Sequence, residues 1–271
     1  MAAMVASILT SQSKLQQALA TGGIPVHEEV SLRAEMADVL CKVGHGINNS
    51  EMLEGAVQHY ETILRCVPAR STEQIRYLES LAGAKTTQYM ITGASQPLTQ
   101  AVQFSQRARQ LCTEYQVEVD LELRSKVINT LAFAVSRRSA LMGDPLESSD
   151  LDDAIAYTRE LLSMASNNSQ LANVARNNLA SQLRRKFNQC QDVAYLQEAQ
   201  DILAKTLTQS SVLEPMLNAM VQAQLGEIAY DKYEKTKKAD DLRTALDCLK
   251  TGLSCLQAQH DTRHDALGRL V

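Results

Sequence analysis

The sequence is poor in the residues that turn or break a helix. Its 271 residues include 11 glycines and 5 prolines, no tryptophan, and aromatic residues at only 4%. So few glycines and prolines argue against a structure of short strands and tight turns, and favour long helices. We therefore predict an all-α fold.

A strong charge of one sign is also missing. The 27 Lys and Arg residues nearly balance the 31 Asp and Glu residues, which leaves a net charge of −4. Such a chain is not attracted as a whole to nucleic acid or to an anionic membrane. Few aromatic residues are placed to stack on bases. Nucleic acid is therefore not an expected partner, although the basic run at residues 184–186 leaves RNA binding as an open alternative.

Long hydrophobic runs are absent. No stretch of roughly 18 uninterrupted apolar residues occurs, so no membrane span is predicted. The first residues, MAAMVASILTSQSKL, lack both the basic start of a secretory signal and the arginines of a mitochondrial leader. We expect a cytoplasmic protein, with nuclear entry left open.

The usual signatures of redox, metal and phosphate chemistry are missing as well. The six cysteines form no CxxC pair, which predicts reduced thiols. Neither a GxxxxGK[ST] run nor a GxGxxG run occurs. His260 and His264 have helical spacing, but zinc needs further ligands that the neighbouring sequence does not supply. Cys41 and His45 are also spaced as a thiol and a base, but a packed cysteine beside a loop histidine is the favoured interpretation. We predict no catalytic residues, no metal site and no cofactor.

What the sequence does have is an internal repeat. The motif Leu-x-x-Ala begins five apolar-periodic segments, and the spacings between successive alanines are 45, 53, 45 and 46 residues. In four repeats a small residue preceded by Leu or Met lies 19 residues before that alanine, and in the middle repeat it lies 22 residues before. This register predicts two alternating amphipathic helices per repeat, each with a small residue where its neighbour packs closely. The alanines are Ala56, Ala101, Ala154, Ala199 and Ala245, and the preceding small residues are Ala37, Ala82, Ala132, Ala180 and Gly226.

The segment LANVARNNLASQLRRKFNQCQDVAYLQEAQDIL resembles a tetratricopeptide (TPR) repeat, in particular the long variant common in fungal multidomain proteins. The resemblance covers roughly residues 28 to 257, and each repeat is about 11 residues longer than the standard 34-residue form. It implies a right-handed α-α superhelix, a solenoid of about five two-helix repeats, that binds peptides or proteins in its concave groove. Around this array, residues 1–27 are predicted to form a capping helix and linker. Residues 258–271 are predicted to be a polar tail or the start of a further repeat.

The first helices of such a solenoid line the groove, and their exposed faces supply the candidate binding residues. An Asn amide can both donate to and accept from a peptide backbone, and an Arg can hold a carboxylate through two hydrogen bonds. Acidic residues are absent between residues 122 and 144 and between 160 and 192, so the middle of the groove is expected to be basic. The alternative is that these arginines are solvated or pair with helix C-termini within the array. The predicted peptide-binding residues are Asn129, Phe133, Ser136 and Arg137 in the third repeat, and Asn177, Ser181, Arg184 and Arg185 in the fourth.

The fifth repeat carries Glu227 and Asp231 on the corresponding face, which predicts an acidic end of the groove. The leading hypothesis is thus a non-catalytic scaffold for a protein or peptide ligand. The alternative is an enzyme, or a small-molecule-binding protein, that uses the same groove as a pocket. The sequence leaves the partner and the oligomeric state open.

Overall fold

The structure is a computed structural model that describes residues 2–20, 24–114, 119–141, 149–165, 170–209 and 214–268, without the side chains of 2–9, 19, 209 and 258–268. Every element of secondary structure in these ranges is an α-helix, which confirms the predicted class. His260 and His264 have side chains outside the described set. None of the described helices is long and apolar enough to span a membrane.

The chain forms two compact units, Met1–Gly143 and Asp144–Val271. The first unit contains α1 (Ala2–Ala20), α2 (Val26–Gly46), α3 (Ser50–Cys66), α4 (Thr72–Thr92), α5 (Ser95–Glu114) and α6 (Leu121–Leu141). The second contains α7 (Asp150–Met164), α8 (Gln170–Cys190), α9 (Val193–Gln209), α10 (Pro215–Thr236) and α11 (Ala239–Gly268). The even-numbered helices from α2 to α10 correspond to the predicted first helices of the repeats, and the odd-numbered helices from α3 to α11 correspond to the second helices.

Short polar side chains cap the start of several helices. They accept hydrogen bonds from backbone N–H groups that have no partner within the helix. Asn49 accepts from Met52 N at 3.0 Å at the start of α3, and Asp120 accepts from Leu123 N at 2.7 Å at the start of α6. Ser50 and Asp150 are the first residues of α3 and α7.

The repeat register is confirmed by burial. The alanines of the second helices are at most 1% exposed, and the four alanines of the first helices are at most 4% exposed. Gly226 fills the same role in α10. A Cβ atom at Gly226 would lie 2.8 Å from Leu249 Cγ and 3.2 Å from the Ala245 carbonyl oxygen. The missing side chain therefore allows α10 and α11 to approach each other closely.

The last helix keeps an apolar stripe at its surface. Val57 follows the register alanine of α3 and is 1% exposed, because α4 packs over α3. The equivalent residue of α11, Leu246, is 50% exposed. Leu249, Leu253 and Leu256 continue the stripe and are exposed too. Within the described part of the chain, this face of α11 is uncovered.

Candidate functional site

In the first unit, α4 and α6 are adjacent first helices that contact each other, and together they form what we call the α4–α6 face. Residues spaced three or four apart share one side of a helix. The face consists of Arg76, Ser80, Gly83, Thr87 and Met90 on α4, and Glu122, Lys126, Asn129, Phe133 and Arg137 on α6.

The predicted residues of the third repeat lie on or beside this face. Asn129, Phe133 and Ser136 are half-buried, and Arg137 is exposed. The guanidinium carbon of Arg137 lies 4.9 Å from the centroid of the Phe133 ring, a cation–π distance. Stacking holds the Arg137 side chain along α6 and leaves the edge of the guanidinium available to an acceptor.

A polar recess of about 390 Å³ lies at one end of the α4–α6 face, between the first half of α4 and the start of α6. Its charged groups are mostly satisfied. Lys126 Nζ lies 2.7 Å from Glu122 Oε1, and Asp120 caps α6 through the bond to Leu123 N. The lining residues are Arg76, Glu79, Ser80, Asp120, Glu122, Leu123 and Lys126, and we call this cavity the Glu79 recess.

Glu79 and the exposed Arg76 are the exceptions within this recess. The Glu79 carboxylate accepts one hydrogen bond, from Thr130 Oγ1 at 2.9 Å, and among the described residues it forms no ion pair. Burial raises the pKa of the Glu79 carboxyl above its ordinary value, although the hydrogen bond from Thr130 and the charge of Lys126 oppose the shift. The side chain is therefore a half-buried carboxylate that feels the charge of Lys126 but forms no ion pair among the described residues.

A second recess, of about 240 Å³, lies at the other end of the α4–α6 face. It is lined by Tyr89, Met90 and Gly93 at the end of α4 and by Arg137 of α6. Gly93 ends α4 in the left-handed conformation, with φ of 70°, which glycine adopts at no steric cost. The same two helices are thus flanked by a recess containing Glu79 and by a recess bordered by Arg137.

In the second unit the predicted residues behave differently. Ser181 is exposed and Arg185 is half-buried. Asn177 had been expected on an exposed face, but it is only 3% exposed, and its Oδ1 atom has no hydrogen-bond partner among the residues that the structure describes. Asn177 lies one helical turn before Ala180, at the level where α8 packs on neighbouring helices, and this position removes it from the surface.

Arg184 forms ion pairs between α8 and α10. Its Nε donates to Asp231 Oδ2 at 2.5 Å, and its Nη1 donates to Glu227 Oε2. Burial opposes the charge on Arg184, but the hydrogen bond and charge of Asp231, with Glu227, outweigh it and raise the pKa of the guanidinium. Arg184 therefore pairs within the array, but with side-chain carboxylates of α10 and not with the helix C-termini of the alternative interpretation. Arg184 was expected in the basic middle of the groove, and Glu227 and Asp231 at its acidic end. In the structure their charges neutralise each other between α8 and α10.

Beyond this ion pair, α8 and α10 enclose a recess of about 340 Å³. Asp231 and Glu234 of α10 line it together with Phe187 of α8. Lys235 Nζ lies 6.0 Å from the centroid of the Phe187 ring. Charges of both signs line this recess, so it has no strong preference for one sign.

Glu79 was not predicted from the sequence, although the repeat register points to it. Asn129 and Asn177 each lie three residues before the small residue of their helix, and Glu79 lies three residues before Ala82. Amides and arginines were expected to bind the ligand, and a carboxylate at this position was not. Alignment of the five first helices by their small residues would have found it.

Cys41, which the sequence pairs with His45 as a candidate nucleophile, does not support the enzyme alternative. Cys41 is half-buried. Burial raises its pKa to about 11, and the hydrogen bond with Tyr60 only partly opposes the shift. A thiol with this pKa stays protonated at neutral pH, and the thiolate is the reactive form.

Comparison with protein-family models gives no match, and comparison with curated proteins gives none either. Among solved structures, the chain is similar to BtubC (BKLC) from P. vanneervenii. The TM-score is 0.62 at 17% sequence identity, over 95% of this chain and 92% of that one. It is also similar to the nearly identical TPR-like repeats of a putative kinesin light chain from Podosopora anserina. There the TM-score is 0.56 at 12% identity, over 81% of this chain and 94% of that one.

The chain has a TPR-like helical-repeat fold. This agrees with the resemblance that residues 171–203 carry in the sequence. At these identities the similarity concerns the fold alone. The α4–α6 face is therefore part of a TPR-like array, and only the residues of this face bear on which ligand it binds.

Proposed function

We propose that the chain is a non-catalytic scaffold that binds an extended peptide segment of a partner protein along the α4–α6 face. The observation that carries this proposal is the pair of recesses at the two ends of one helix pair, with Asn129 and Phe133 between them. A peptide lying along the face would place one side chain in each recess and its backbone beside the Asn129 amide.

The dimensions of the face suit a short extended segment. Ser80 borders the first recess and Met90 borders the second, and ten residues of helix correspond to about 15 Å. An extended peptide advances about 3.3 Å per residue. Roughly five residues therefore span the two recesses, which favours a peptide over a compact small molecule.

The floor of the face between the recesses is open at Gly83. A Cβ atom at Gly83 would meet no atom within 4 Å, so a larger side chain there would project into the space that the peptide is proposed to fill. Gly83→Leu is therefore a steric block that leaves the core of the unit unchanged. Gly46, the last residue of α2, offers the same open space away from the face, and Gly46→Leu is its matched control.

The experiment uses fluorescein-labelled, amidated hexapeptide pools with one fixed and five degenerate positions, and follows binding by fluorescence anisotropy. We expect wild type to select some pools, and Gly83→Leu to weaken that binding at least tenfold, or about 1.4 kcal/mol. Gly46→Leu should bind as wild type does. Equal binding by a correctly folded Gly83→Leu variant would contradict the assignment of this face. If no pool binds to wild type, peptide binding itself is wrong.

A charge reversal tests the second recess. Arg137→Glu should remove any preference for pools with a fixed acidic residue, because Arg137 is the basic side chain that borders this recess. Arg65→Glu makes the same charge change on an exposed position of α3. If both variants lose the preference equally, long-range charge and not the recess selects acidic residues.

A further inference from the structure

The Glu79 recess is lined by more carboxylates than cations. Three carboxylates, those of Glu79, Asp120 and Glu122, and two cations, those of Arg76 and Lys126, line it. Lys126 is paired with Glu122 at 2.7 Å. No ion pair joins Arg76 to Glu79 in the described structure, although the two residues are one helical turn apart on α4.

A carboxylate removed from water without a partner is costly, and pairing with a cation and added hydrogen bonds offset that cost. Thr130 supplies one neutral donor to Glu79, but an ionised carboxylate has room for several. Glu79 lines the cavity. A ligand group in the cavity that carries both positive charge and N–H donors would satisfy the remaining acceptor sites of this carboxylate.

The wall of the recess also suits the stem of a long basic side chain. Leu123 is the apolar residue of the lining, and lysine and arginine pack their methylene groups on apolar surface while the charged head meets its partner. A volume of about 390 Å³ leaves space for such a side chain.

The second unit shows what the same helix arrangement does when the chain supplies its own cation. There Arg184 meets Asp231 and Glu227 between α8 and α10. The residue in register with Glu79 is the neutral Asn177. Between α4 and α6 the protein provides the carboxylate of Glu79, and among the described residues no basic side chain bonds to it.

We propose that the Glu79 recess binds the ammonium or guanidinium group of a lysine or arginine side chain of the bound peptide. This inference rests on the proposed function, because the peptide supplies the basic side chain. Together with Arg137 at the far end, it gives the face a direction: a basic residue of the ligand lies at the start of α6, and an acidic residue lies about five positions away.

The first test compares hexapeptide pools in which the fixed residue is lysine, arginine or norleucine, an uncharged analogue of the lysine stem. Wild type should bind the lysine or arginine pool at least tenfold more tightly than the norleucine pool, roughly the contribution of one hydrogen bond to a charged group. Glu79→Gln keeps the size of the side chain and an oxygen for Thr130, and should reduce this ratio to about twofold or less. Glu73→Gln, an exposed position on the same helix, should retain the wild-type ratio.

Pools that bind wild type with no preference for a basic residue, or a preference that survives in Glu79→Gln, would overturn the inference and leave the scaffold proposal standing. Circular dichroism and the urea midpoint of each variant show that loss of the preference does not come from unfolding.

The second test needs no peptide. n-Butylguanidinium and n-butylammonium are titrated into methyl-labelled protein, with n-butanol as the uncharged control. The NMR signals of the Leu123 and Thr130 methyl groups report on the recess. We expect saturable shifts with the two cations, none with n-butanol, and none in Glu79→Gln.

If the cations bind in this way while no peptide pool binds, the recess is a cation site and the peptide-scaffold proposal is wrong. If neither cations nor basic pools depend on Glu79, the inference is wrong. The two proposals therefore fail separately.

Discussion

Arg184 of α8 holds Asp231 of α10 through its Nε at 2.5 Å and its Nη2 at 3.4 Å. The side chains are 29% and 15% exposed, so the pair is partly removed from water. It joins two successive first helices of the second unit at the position where the sequence predicted a ligand contact. Charge reversal at Arg184 would therefore disturb the packing of α8 on α10 before it disturbed any ligand.

Arg184→Gln should lower the free energy of unfolding by about 1–2 kcal/mol, because it leaves the Asp231 carboxylate half-buried without its charged donor. Urea unfolding of Arg184→Gln, Asp231→Asn and the double variant forms a double-mutant cycle, and we expect the two single effects not to add. Arg243→Gln is the control, because the pair of Arg243 with Asp240 is 74% and 91% exposed and such pairs contribute little. Additive effects at Arg184 and Asp231 would show that the pair contributes nothing.

Periodicity predicted the helices and the register of their alanines because both depend on neighbours along the chain. The partner of Arg184 could not be predicted in this way. Arg184 meets Asp231 and Glu227 because α8 and α10 pack side by side with a particular offset along their axes, and spacing within one helix does not determine that offset. The burial of Asn177 has the same origin. A helical wheel gives the direction of its side chain but not which neighbouring helix covers it.

Alanine substitutions at two glycines, Gly83 and Gly44, should change the stability of the protein in opposite directions. Gly83 lies in the interior of α4 and a Cβ atom there would meet open space, so Gly83→Ala should stabilise the protein by about 0.5–1 kcal/mol through helix propensity. At Gly44 a Cβ atom would lie 3.1 Å from both the Asn49 carbonyl oxygen and Met52 Cβ. Gly44→Ala should therefore destabilise by about 1 kcal/mol, since overpacking outweighs the propensity gain. Urea midpoints that move in the same direction for both variants would contradict this.

Glu79 should make stability depend on pH. Its pKa is raised in the folded state, so the folded protein binds this proton more tightly than the unfolded chain does. As pH rises through the ordinary carboxyl pKa towards the raised value, wild type loses stability that Glu79→Gln does not lose. The variant should therefore have the higher urea midpoint at pH 7, and the difference should shrink as the pH falls below the ordinary pKa. A constant difference at both pH values would mean that Glu79 does not titrate within the folding transition.

The register of the repeats is tested most directly at Ala154 of α7, which is fully buried. Its neighbours Leu151 and Ile155 belong to a core cluster that also contains Leu179 of α8. Three added carbon atoms at this position have no space, so Ala154→Leu should cost roughly 1–3 kcal/mol of stability. Ala156→Leu places the same side chain two residues away on an exposed position and should change the melting temperature little. If Ala154→Leu melts at the wild-type temperature, this alanine is not at a close helix crossing, and the register drawn through all five repeats is wrong in α7.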